Sequence, residues 1–267
     1  MANSVIILAG GSGNRFQSEL PKQFAKIAGL TVTEHTVEKF EKNVLIDEII
    51  VVTHPDYYQL MHELMMRRGF KKVKKIVKGG RTRQESSYAG LLACDQTTDK
   101  VLIHDAVRMF VSDEIINNVI RALDHFDAVD VAIPCQDTII EVSDLNTIKS
   151  IPKRDTLMRG QTPQGFRFPL IMEAHRKTLE NRNIEVTDDC GLVVTLGLGE
   201  VFVINGDERN IKITFPEDVS LADKLFQMNA PLLEVPRVEL DKLKEKVIVI
   251  FGHTGGIGRE IMRLARE

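Results

Sequence analysis

The sequence has no run apolar enough to span a bilayer, and its first residues pass directly into an apolar strand with no signal-peptide pattern. Both absences point to a cytoplasmic protein without a membrane partner. An excess of one charge is also missing: 35 basic against 38 acidic residues leave a formal net charge of -3, which argues against nucleic acid as the main partner. A small anionic substrate needs only a local positive pocket. Cysteine is scarce: Cys94, Cys135 and Cys190 are widely spaced and form no C-x-x-C pair. They offer no disulfide or zinc framework, and each reads as a packed core thiol in a reducing compartment. The N-terminal glycine loop fits neither stock phosphate motif, having no G-K-[ST] of a P-loop and no G-x-G-x-x-G of a dinucleotide fold. What remains is a globular composition, 43% hydrophobic and 27% charged over 267 residues, long enough for one substantial α/β core or two small ones.

The most informative stretch is Ile6-Ile7-Leu8-Ala9-Gly10-Gly11-Ser12-Gly13-Asn14-Arg15, followed by Pro21-Lys22-Gln23-Phe24. An apolar run ending in glycines reads as a buried strand feeding a loop whose backbone can lie close against a ligand. Free N–H groups from Leu8, Ala9, Gly10, Gly11 and Gly13 would cradle anionic oxygens, with Arg15 and Lys22 as fixed positive charges. A tight turn carrying two surface cations is the plainer alternative. Downstream, a helix over Thr33–Lys42, a strand over Glu48–Thr53, a helix over Tyr58–Arg68 and a strand around Ile76-Val77 give βαβα alternation. That rhythm predicts an α/β fold, a Rossmann-like and mostly parallel sheet with helices on both faces and its site beyond the carboxyl ends of the strands. The segment Lys78-Gly79-Gly80-Arg81-Thr82-Arg83-Gln84-Glu85-Ser86-Ser87 repeats the theme of glycines beside basic and hydroxyl residues. The strand from Val101 ends in His104-Asp105-Ala106-Val107-Arg108, where an aspartate at a strand's carboxyl end suits Mg²⁺, a turn or a helix cap. A helix over Asp113–His125 with Ser112 as N-cap, a strand over Val129–Ile133, and helices over Pro169–Glu180 and Asp188–Leu196, the latter capped by Thr187, complete the pattern before a strand at Val201–Ile204 and a last helix opened by Pro216.

These motifs, L-A-G-G-x-G-x-R followed by P-K-Q, H-D-A-x-R and Asn210-Ile211-Lys212, resemble those of the cytidylyltransferases that make CDP-activated polyols, the methylerythritol 4-phosphate and ribitol 5-phosphate enzymes, from about Val5 to about Leu225. The resemblance implies a nucleotidyltransferase fold and a reaction of CTP with a polyol phosphate that releases pyrophosphate. Arg15, Lys22 and Lys212 are then the charges at the transferring phosphorus, Gly80, Arg83 and Ser86 face the cytidine, and Asp105 with Ala106 completes the nucleotide site, Asp105 as the Mg²⁺ ligand. Arg108, Asp137, Thr138, Arg154 and Thr162 fall where polyol-phosphate contacts are expected. On the residues alone, Arg154 reads as part of a solvated charge cluster. Residues 134–166, with short alternating runs at Thr138–Val142 and Ile148–Ile151, read as a β-arm, which in this family swaps across a twofold axis and implies a homodimer. Departures from the pattern are Val107 and Met109 flanking Arg108, and Arg209 where many relatives carry an acid, with Asp207 or Glu208 as possible substitutes.

Residues 1–229 are thus expected to be the transferase domain and 230–245, with Pro231 and Pro236, a linker. From 246 on, a strand over Lys246–Phe251 and the loop Gly252-His253-Thr254-Gly255-Gly256-Ile257-Gly258 resemble the start of a short-chain reductase domain, whose cofactor would be NADPH, interrupted at Glu267. Fusion to a reductase is a feature of capsule-type or teichoic-acid-like polymer synthesis, so it favours ribitol 5-phosphate as acceptor and CDP-ribitol as product. Methylerythritol 4-phosphate is the alternative substrate. A non-catalytic dimerisation scaffold is the alternative of another class.

Overall fold

The computed structural model describes residues 2–11, 16, 20–180, 184, 186–229, 247, 249–252 and 254–265. The chain divides into two compact units, Met1–Gln227 and Met228–Glu267. No helix among the described residues is long and apolar enough to cross a membrane.

The first unit opens with β1 (Ala2–Ala9), a short hairpin of β2 (Lys26–Ile27) and β3 (Leu30–Thr31), and α1 (Val32–Lys42). Then come β4 (Glu48–Thr53), α2 (Tyr58–Arg68), β5 (Val73–Lys78), α3 (Arg83–Ala93), β6 (Thr98–Asp105), α4 (Asp113–Ala122) and β7 (Ala128–Pro134). An arm follows, with a hairpin of β8 (Glu141–Val142) and β9 (Ile148–Ser150), then β10 (Met158–Gly160). β11 (Gln164–Arg167), α5 (Phe168–Glu180), α6 (Asp189–Thr195), β12 (Val201–Asn205) and α7 (Pro216–Asn229) close the unit. In the second unit, α8 (Gly256–Leu264) is helical as expected, but residues 247 and 249–251 are not in a strand, so the strand expected there is not formed among the described residues.

The main sheet runs β5–β4–β1–β6–β11–β7–β12, with β10 continuing the track of β11 along the same edge of β7. β1 pairs in parallel with β4 and β6, β4 with β5, and β7 with β12, whereas β11 is antiparallel to both of its neighbours. Alternation along the strands supplies both faces of the sheet. Val5 and Ile7 of β1 pack with Val37 and Phe40 of α1, Met61 of α2 and Ile116 of α4. Ile6 points the other way, into a cluster with Leu91 of α3, Ile171 of α5 and Leu192 of α6. Gly90 of α3 lies so close to the sheet that a Cβ there would strike Ile6 Cγ2 and sit 3.0 Å from Val52 Cγ2. Gly165 gives α4 the same approach to β11, since a Cβ would strike Val119 Cγ1.

Two expectations shift by local chemistry. The N-cap of α6 is Asp188, whose side chain accepts from the Gly191 N–H, and not Thr187. α3 starts at Arg83 with Thr82 as cap, accepting from the Glu85 N–H, so the polar residues Arg83–Ser87 form its first turn.

Candidate functional site

The register sets out the site. Asp105 lies beside Leu8, Ala9 beside Thr53, and Thr53 beside Lys78, so β6, β1, β4 and β5 end in one row and their loops leave on the same side. A cleft of about 320 Å³ opens there. Gln23 shapes its first wall: 1% exposed, it donates from Nε2 to the Ala9 carbonyl at 2.9 Å and the Gly11 carbonyl at 3.0 Å. Its own carbonyl accepts from Thr33 Oγ1, which ties the glycine loop to α1. The turn into α3 forms another wall. Ser86 Oγ donates to the Thr82 carbonyl and accepts from the Gly80 N–H, and a Cβ on Gly79 would press to 2.7 Å from that oxygen. This turn therefore requires glycine on steric grounds, and it brings the electropositive N-terminus of α3 to the cleft.

Asp105 lies between two cations. Lys212 Nζ is 2.8 Å from Oδ2 and Arg83 Nε is 3.6 Å from Oδ1. Burial pushes this carboxyl up, but Lys212 and Arg83 outweigh burial and hold it well below the usual carboxylate range. Lys212 arrives there because its neighbours are anchored. Ile213 is fully buried with its N–H on the Val107 carbonyl at 3.0 Å, and buried Asn210 donates to the Thr162 carbonyl at 2.9 Å. Behind Asp105 runs a chain of hydrogen bonds: the Asp105 N–H donates to Thr162 Oγ1 at 3.2 Å, that hydroxyl is 3.0 Å from His104 Nδ1, and His104 Nε2 is 3.1 Å from the Arg108 carbonyl. A carbonyl only accepts, so the proton sits on Nε2 and Nδ1 accepts from Thr162. Burial pushes His104 down to about 4, which keeps this ring neutral near pH 7.

Of the residues singled out in the sequence, Leu8, Ala9, Gly10, Gly11, Lys22, Gly80, Arg83, Ser86, Asp105 and Lys212 all line the cleft. Gly13 and Arg15 lie outside the described residues. Ala106 does not line the cleft: it is fully buried, with its N–H on the Leu8 carbonyl and its own carbonyl accepting from Thr36 Oγ1. Thr162, expected to meet the polyol, is 5% exposed with its hydroxyl committed between Asp105 and His104, so it frames the site from behind. Arg108 bridges the Asn210 carbonyl at 2.8 Å and the Gly160 carbonyl at 3.4 Å, bracing the loop that bears Lys212. Thr138 and Arg154 meet each other on the exposed arm at 2.8 Å, and Asp137 is exposed nearby; none of the three lines the cleft of its own chain. Both acids near Arg209 have partners within the chain, and neither lines the cleft. Asp207 accepts from the Arg209 N–H, and Glu208 pairs with Arg159 on β10. His54, Arg81 and Thr82 also line the cleft and were not named as site residues, and Val107, noted only as a departure from the motif, lines it too.

Among the described residues no group of three or more His, Cys, Asp or Glu side chains could hold a metal ion. One ionised carboxylate at the cleft suits Mg²⁺, which takes one or two carboxylates together with substrate oxygens and water. The donor set therefore fits a metal carried in with a nucleotide, not a caged one.

Residues 3–228 match the family described as 2-C-methyl-D-erythritol 4-phosphate cytidylyltransferase, IspD. The chain is 40% identical over 272 residues to the bifunctional ribulose 5-phosphate reductase/CDP-ribitol pyrophosphorylase Bcs1 of Haemophilus influenzae, covering 99% of this chain and 57% of that protein. It is 41% identical over 226 residues to the 2-C-methyl-D-erythritol 4-phosphate cytidylyltransferase of Clostridioides difficile, covering 84% of this chain and 94% of that one. Among solved structures, the 4-diphosphocytidyl-2C-methyl-D-erythritol synthase of Anaerococcus prevotii superposes with a TM-score of 0.75 at 33% identity, over 85% of this chain and 96% of that chain.

Proposed function

The chain belongs to the 2-C-methyl-D-erythritol 4-phosphate cytidylyltransferase family and is a cytidylyltransferase, and we propose that the acceptor it serves is ribitol 5-phosphate. One observation carries the choice: the likeness to the Haemophilus influenzae CDP-ribitol pyrophosphorylase extends over 99% of the chain, whereas the Clostridioides difficile methylerythritol enzyme matches 84%. The added stretch takes in the second unit, Met228–Glu267, with its glycine-opened helix. Methylerythritol 4-phosphate is the second reading, favoured by the 41% identity to that enzyme.

In the proposed reaction an oxygen of the acceptor phosphate attacks the α-phosphorus of CTP. The new O–P bond forms, the bond to the bridging oxygen of the β-phosphate breaks, and pyrophosphate leaves. The nucleophile arrives already anionic, so the protein's task is to hold two anions together and stabilise the charge that builds up at phosphorus. The glycine loop clamped by Gln23 cradles the phosphates, while Lys22 and Lys212, both in the cleft lining, supply charge. Arg15 is proposed for the same role from its place in the motif. Asp105 would hold Mg²⁺, which neutralises charge on CTP oxygens when bound. A non-catalytic scaffold accounts poorly for a buried carboxylate kept ionised between two cations.

The arm is proposed to complete the acceptor site in a second copy. Ile139, Ile140, Val142, Leu145, Ile148 and Ile151 are all exposed on it, an apolar strip that a homodimer would cover. A dimer mass by light scattering is expected for the purified chain; a monomer at working concentration would remove this part of the proposal. The acceptor is tested by pyrophosphate release with CTP and Mg²⁺, comparing ribitol 5-phosphate with methylerythritol 4-phosphate at equal concentration. Higher kcat/KM with ribitol 5-phosphate is expected, and preference for methylerythritol 4-phosphate would overturn the assignment.

A further inference from the structure

Arg83 lines the cleft, but its side chain is aimed from behind by a residue 106 positions away. Asp189, the first residue of α6, is 1% exposed and lies outside the cleft lining. Its Oδ2 accepts from Arg83 Nη1 and from Ser87 Oγ at 3.1 Å, and its Oδ1 is 3.0 Å from His175 Nε2. The Asp189 N–H donates to Gln164 Oε1 at 3.1 Å, and the His175 ring is stacked on Tyr88 at 5.7 Å between centroids. The carboxylate is thus fixed by groups from α3 and α5, and the residue's backbone by β11. A guanidinium is a rigid planar fork, so pinning Nη1 on Asp189 while Nε faces Asp105 Oδ1 at 3.6 Å determines its plane. The remaining terminal nitrogen, Nη2, is buried and has no hydrogen-bond partner among the described residues. An unpaired buried donor costs free energy that a ligand acceptor recovers.

We infer that Asp189 is a positioning residue for nucleotide binding, holding Arg83 in the plane that offers Nη2 to an oxygen of CTP. This rests on the cytidylyltransferase reading of the cleft and not on which polyol phosphate accepts. Asp189→Asn keeps the size of the side chain and removes its charge. The KM for CTP should rise roughly 10- to 100-fold, by analogy with the outer hydrogen-bond partners of metal-ligating residues, while the KM for the polyol phosphate stays unchanged. In an Arg83→Ala background the same substitution should add no further loss, because two residues acting through one contact are not additive. An unchanged KM for CTP, an equal rise in both KM values, or additive losses would each overturn the inference. A second measurement does not depend on how the Asn variant folds. In the unsubstituted protein, the Arg83 guanidinium nitrogens, assigned by their loss in Arg83→Lys, should show slowed rotation in NMR spectra before CTP is added. Free rotation until CTP arrives would overturn the preset orientation. Turnover of CTP by the unsubstituted protein is measured alongside; its complete absence would overturn the reading of the cleft itself and is thereby told apart from failure of the positioning role.

Discussion

Lys212→Ala is expected to lower turnover about 10²- to 10³-fold at saturating CTP and acceptor, the usual cost of removing one preorganised group from a site of developing charge. The protein should stay folded. The segment around residue 212 is held by its neighbours: Ile213 is fully buried in a cluster with Val107, Met109 and Ala222, and Asn210 is tied to Thr162 through its side chain and to Arg108 through its carbonyl. The Lys212 side chain itself is 42% exposed, so solvent screens its pair with Asp105. Arg83 still faces Asp105 when Lys212 is gone. Loss of turnover at an unchanged thermal midpoint would therefore report chemistry and not folding. The readout is pyrophosphate release alongside a melting curve; near-normal turnover in the purified variant would remove Lys212 from the mechanism.

The halves of this site that sequence pattern exposes are the ones written in local chemistry. A buried run ending in glycines at Gly10 and Gly11, glycines before a helix start at Gly79 and Gly80, and an acid closing a strand at Asp105 all sit at strand ends, and parallel pairing in register brings strand ends together. What local pattern hides is pairing across the chain. Asp189 reads as an ordinary first-turn acid on α6, and only the folded chain shows it facing Arg83. β11 is hidden for another reason. Only four residues long, Gln164–Arg167, it follows a proline and carries one large apolar residue, Phe166, too little for a period of two to register. Yet it sits antiparallel between β6 and β7 and carries Gln164, which holds the Asp189 backbone. Thr162 shows the converse. Its place in the motif suggests a ligand contact, while its burial commits the hydroxyl to Asp105 and His104. The cap of α6 misleads by one residue because Thr187 and Asp188 are both good N-caps, and backbone geometry decides between them.

Asp105→Asn is expected to lower Mg²⁺-dependent turnover by about 10²-fold or more, with the Mg²⁺ concentration for half-maximal rate shifted upward. The substitution is nearly isosteric and leaves the backbone N–H free to donate to Thr162 Oγ1. It removes the one negative charge that separates Lys212 from Arg83. Two effects then run in opposite directions, and their signs distinguish the roles of the residue. Without Mg²⁺, a cleft that has lost an anion and kept its cations should bind the CTP triphosphate at least as tightly as before. With Mg²⁺, the carboxylate that would share the metal with CTP oxygens is gone, so the rate falls. A residue that served only to pin Lys212 would lose rate with no shift in Mg²⁺ dependence, and that outcome would remove the metal assignment while leaving the charge arrangement intact. Because Lys212 and Arg83 hold the Asp105 carboxyl below the usual carboxylate range, its contribution is complete above about pH 4 and is lost only as pH falls below that. The pH–rate profile of the unsubstituted enzyme near neutrality should therefore show no limb from this group, and an acidic limb at pH 5 to 7 that Asp105→Asn abolished would contradict the ionised pair.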